Sequence, residues 1–65
     1  MNPTEVTELI ELLRAMAKRG DEDALAKHTR IIAARDAWGE NQTPTLWSGF
    51  LQAAQEAKAW LEQNR

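Results

Sequence analysis

Lys18-Arg19-Gly20-Asp21-Glu22-Asp23 turns one helical pattern back on itself within a few residues. Glycine adopts the left-handed backbone that commonly ends a helix, because it has no Cβ to clash there. Lys18 and Arg19 stand just before it, where cations meet the negative end of the helix dipole. Asp21 follows at once with the side chain of an N-cap. Glu22 and Asp23 fall in the first turn of a new helix, where acids are favoured. So short a connection predicts two antiparallel helices, an αα-hairpin.

Upstream, Asn2-Pro3-Thr4-Glu5 reads as an N-cap, a proline at the first helical position and a capping-box glutamate. Val6, Leu9, Ile10, Leu13, Met16 and Ala17 recur at three- and four-residue spacing, with Leu12 widening the stripe. This predicts an amphipathic helix over about residues 3–19, and its clean two-sidedness places it at the centre of the packing. The second helix is expected over about 22–38, with Gly39 as the stop. Glu40-Asn41-Gln42 forms a loop. Thr43-Pro44 repeats the cap-plus-proline signal and opens a third helix over about 44–63. Gly49 inside it costs about 1 kcal/mol relative to alanine. It permits the close approach of a neighbouring helix, or else Ser48 starts a separate helix; one continuous helix is favoured.

The fold class is therefore all-α: a helical hairpin plus a third helix, one domain over residues 1–65. A chain of 65 residues has a small core and seldom reaches more than a few kcal/mol of net stability unaided. No cysteine is present, so disulfides and thiolate metal sites are excluded, and His28 is the single histidine. No metal site and no cofactor is expected. Self-association or binding to a partner is the remaining stabiliser, and a homo-oligomeric helical bundle, a dimer first, is the expected assembly.

The second helix has two unusual faces. Ala24, Leu25, Ile31, Ile32 and Trp38 form its apolar side, with His28 and Arg35 inside that stripe. Ala26, Ala33 and Ala37 lie on its back, interrupted by Thr29, Arg30 and Asp36. Small residues there admit a second subunit, so Ala26, Ala33, Ala37, His28 and Arg35 are candidate interface residues. His28 and Arg35 have two other readings. They are packed structural groups, or they grip an anion while Trp38 or Trp47 stacks on a flat ring.

Three tryptophans, Trp38, Trp47 and Trp60, in so short a chain are more than a small core easily hides. Trp60 is expected at the edge of the core. Trp38 and Trp47 flank the loop after Gly39 and are expected at one end of the bundle, as a closed mini-core or as an exposed aromatic patch. Such a patch marks a protein-binding surface, with Arg35 as its polar partner.

Catalytic signatures are missing from the sequence. Ser48 has no histidine signature near it, Glu8 and Glu11 have ordinary spacing for a solvated helix face, and the glycines form no phosphate loop. Charge is distributed as −3 over residues 1–11, +3 over 12–35 and −2 over 36–65. That is no single-sign field for nucleic acid. A helix-turn-helix would read DNA through the third helix, where Lys58 is the only base before the terminal Arg65. No stretch has the pattern of a signal peptide or a membrane span, so a cytoplasmic location is expected. In size and composition the chain is similar to small helical regulators of bacteria and their phages, an analogy that carries no residue.

The expected function is thus non-catalytic: an adaptor or inhibitor docking onto a larger protein, working as a homodimer. The alternative is an oligomeric binder of a small anionic ligand such as a nucleotide, which a thermal-shift screen detects. A second alternative is a weak nucleic-acid-associated regulator using Arg14, Lys18, Lys27 and Arg30, with steep salt dependence.

Overall fold

The structure is a computed structural model that describes residues 2–64. Three helices follow one another: α1 over Pro3–Lys18, α2 over Glu22–Glu40 and α3 over Pro44–Gln63. No strand occurs among the described residues.

Each helix begins on a side-chain cap. The Asn2 Oδ1 accepts from the Glu5 N–H at 2.8 Å, the Asp21 Oδ1 from the Ala24 N–H at 3.0 Å, and the Thr43 Oγ1 from the Leu46 N–H at 3.2 Å. In each case the donor is the third helical residue, one of the orphan N–H groups at a helix start. At the end of α1, the Gly20 N–H donates to the Ala17 carbonyl and the Asp21 N–H to the Met16 carbonyl. That pair of bonds is a Schellman closure. It requires the φ of +97° seen at Gly20, where any side chain is strained.

The end of α2 differs from the sequence expectation. Gly39 does not stop the helix, which continues through Glu40. Gly39 has no positive φ, so it is one more helical residue. Termination falls instead on Asn41, extended at φ −147° and ψ 92°. Thr43 is also extended, at φ −111° and ψ 153°, as the residue before a proline must be to avoid its ring.

Packing corrects a second expectation. The central helix is α2, not α1: it packs along both neighbours, whereas α1 and α3 touch each other only briefly. The molecule measures 33 × 18 × 16 Å. Its core holds Leu9 and Leu13 of α1, Ala24 and Ile31 of α2, and Phe50, Ala53, Ala54, Ala57 and Leu61 of α3. Val6, Ile10, Leu12, Met16, Ala34 and Trp60 are half-buried against it. The buried alanines let helix axes approach toward the short end of the usual spacing of about 8–10 Å.

Leu25 departs from the apolar side assigned to α2 and is 52% exposed. The buried seam runs through Ala24 and Ile31, and Leu25 lies about 100° round the helix from Ala24. Outside the core, the exposed Arg30 and Glu56 form an ion pair joining α2 to α3. Pairs of this kind contribute about 0–1 kcal/mol.

Gly49 lies within the single continuous α3, and a Cβ built on it meets nothing within 4 Å. Gly39 is equally open. Neither glycine therefore admits a neighbour within the chain. Gly49→Ala and Gly39→Ala are each expected to stabilise the fold by about 1 kcal/mol, since alanine loses less backbone entropy in a helix. Urea titration followed by far-UV circular dichroism measures this. A loss of stability at Gly49 would mean that a second chain packs on that face.

Candidate functional site

The α2–α3 turn gathers the aromatic residues. Trp38 sits in the last turns of α2 and Trp47 in the first turn of α3, joined by Asn41-Gln42-Thr43. Their ring centroids are 5.0 Å apart with planes inclined at 52°. Trp47 in turn meets Phe50 edge-on, at 5.6 Å and 66°. Both separations fall in the range where tilted or edge-to-face aromatic pairs attract, by about 0.5–1.5 kcal/mol beyond area burial.

These contacts form a graded stack. Phe50 is buried in the core, Trp38 is half-buried, and Trp47 is 40% exposed. The end of the bundle is accordingly neither a closed mini-core nor a detached patch. Its inner ring anchors it and its outer indole meets solvent. No buried side-chain nitrogen or oxygen among the described residues lacks a partner, so no indole N–H is trapped unpaired. Trp60, on the other half of α3, is half-buried against the core and takes no part in the stack.

Arg35 lies one turn before Trp38 on α2. Its backbone is on the side of the buried seam, yet the side chain is exposed. A long aliphatic stem carries the guanidinium out to water. Among the described residues no carboxylate lies within ion-pair distance of it. His28, two turns earlier, is half-buried. Neither residue lines either of the grooves between α1 and α3. On the back of α2, Ala26 and Ala33 are exposed and Ala37 is half-buried. With Leu25 and Thr29 they form an outer ribbon, interrupted by the exposed Asp36 and bordered by Arg30.

Phe50 is the member of the stack that periodicity did not single out for the site. The signal was its position three residues after Trp47, which places both on one face of a helix.

Two shallow grooves lie between α1 and α3. One is lined by Glu5, Glu8, Leu9 and Leu12 of α1 and by Lys58, Leu61 and Glu62 of α3. The second extends it along α3 past Gln55 and Ala59. No group of three or more His, Asp or Glu side chains among the described residues converges to hold a metal ion. Among the described residues no helix is long and apolar enough to cross a membrane. Comparison with protein-family models, with curated proteins and with solved structures finds no match.

Proposed function

We propose that the chain is a small non-catalytic protein-binding module, an adaptor or inhibitor that docks onto a larger protein through Trp47. The supporting observation is an indole 40% exposed yet held by Trp38 and Phe50. Tryptophan is enriched among the few residues that carry most of an interface's binding energy. An indole already fixed by stacking loses little further rotamer freedom on binding, so more of its contact energy appears as affinity. Trp38 widens the anchor, and Arg35 supplies unpaired donors one turn away.

The module works in the cytoplasm as a homodimer. The outer ribbon of α2, with Leu25, Ala26, Thr29 and Ala33 exposed, is the face a second copy covers. It leaves the aromatic end free.

Trp47→Ala separates docking from folding. The variant keeps its far-UV spectrum and loses about 0.5–1.5 kcal/mol of stability from the aromatic pairing. Capture of the partner by cross-linking in lysate of the producing cell, read by mass spectrometry, drops at least about tenfold, the equivalent of about 1.4 kcal/mol. If helicity and assembly collapse instead, or if the captured protein is unchanged, Trp47 is a packing residue and the proposal fails.

A further inference from the structure

The groove between α1 and α3 exists because these two helices hardly touch, each packing on α2 instead. Its floor is Leu9, Leu12 and Leu61. Its rim carries Glu5 and Glu8, one helical turn apart on α1, with Glu62 and Lys58 facing them from α3. Among the described residues none of the four is in an ion pair. Among the described residues the rim therefore carries three carboxylates and one ammonium above an apolar floor.

Shape and charge narrow the occupant. The groove holds about 240 Å³, and its continuation past Gln55 and Ala59 about 340 Å³. It is a shallow trough running along α3, and its apolar floor accepts a side chain or two of an elongated partner. A second copy presenting the same face is disfavoured, because a two-fold contact brings one net-negative rim against another. A second copy presenting a different face to the groove makes a head-to-tail contact that does not close as a dimer.

We infer that this groove is a second docking site, and that its occupant is a basic amphipathic helix of a partner protein. Leucine-type anchors enter between Leu12 and Leu61, and flanking Lys or Arg residues meet Glu5, Glu8 and Glu62. An amphipathic helix laid in a groove is a recurrent mode of peptide recognition. The site is separate from the aromatic end: Trp47 and Lys58 lie about 16 Å apart along α3, at about 1.5 Å per residue. Two separate surfaces on one small chain suit an adaptor that bridges two proteins.

The test titrates the isotope-labelled chain with a synthetic helical peptide of about three turns, bearing a leucine stripe flanked by Lys and Arg. Nuclear magnetic resonance is expected to show shifts at the amides of Leu9, Leu12 and Leu61, with the Trp38 and Trp47 indole signals unmoved. Affinity falls as salt rises. The double variant Glu8→Lys, Glu62→Lys binds about tenfold more weakly, which corresponds to about 1.4 kcal/mol. Both positions are exposed, so its spectrum stays folded. If the reversal does unfold the chain, Glu8→Gln with Glu62→Gln makes the same comparison with a smaller loss. Equal binding of a peptide with Glu in place of every base overturns the proposal, as does unchanged affinity in the folded variants. Groove shifts that appear on concentrating the protein alone assign the site to a second copy and overturn it too. Shifts confined to the indole signals also overturn it, while leaving the docking role of Trp47 intact.

Discussion

Leu13→Ala and Ile31→Ala each lower the unfolding free energy by about 2–5 kcal/mol, the range for large-to-alanine changes in cores. Both side chains are fully buried. Leu13 is the innermost residue of α1, and Ile31 sits on the helix that the other two share. The surroundings cannot easily collapse into the space, because much of the opposing wall is alanine, with little side chain to move. Small proteins have about 0.05–0.15 kcal/mol of stability per residue, so either change removes a large part of the total. Urea midpoints by circular dichroism measure this. Leu25→Ala is the internal control: Leu25 is 52% exposed, so its loss costs about 0.5 kcal/mol or less in the isolated chain. Equal losses at Leu25 and Ile31 would show that the outer face of α2 is covered in the assembly. A small loss at Ile31 would contradict the described core.

Ala57→Leu and Ala54→Leu destabilise by about 1–3 kcal/mol through the opposite fault, overpacking. Both alanines are fully buried, and with Ala53 they form the side of α3 turned to the core. Leucine and alanine are both good helix formers, so local propensity changes little. The cost comes from forcing α3 away from its neighbours. Thermal unfolding of the two variants tests it, and an unchanged melting temperature would show that α3 packs with slack. Because α3 carries Trp47 and Phe50, displacement should also alter tryptophan fluorescence from the aromatic stack.

The parts of this molecule that were legible in the residue order are those controlled within one helical turn. Asn2, Asp21 and Thr43 cap because a short polar side chain finds the N–H three residues on. Gly20 closes α1 because only glycine takes φ of +97° without strain. Gly39 misled for the same local reason: glycine permits a stop and does not impose one. The extended backbone around Asn41 and Thr43 ends α2 instead.

The faces of α2 were less legible. Its seam mixes Ala24 and Ile31 with His28 and Arg35, so no single stripe dominates the wheel. A helix wedged between two others is contacted over a wide arc, and that arc depends on where both neighbours lie. The exposure of Leu25 and Arg35 follows from that placement. In the same way, the bracketing of one turn by Trp38 and Trp47 announces a cluster. That the cluster is a graded stack with Trp47 outermost depends on Phe50 reaching the core.

Pattern and punctuation thus account for three helices, their caps and the hairpin, because those interactions span three or four residues and each is decided by side-chain chemistry alone. Which helix is central, which indole meets solvent and where the acidic groove opens are set by contacts between residues tens of positions apart. Glu5 and Glu62 stand at opposite ends of the chain and share a rim only because α1 and α3 both pack on α2.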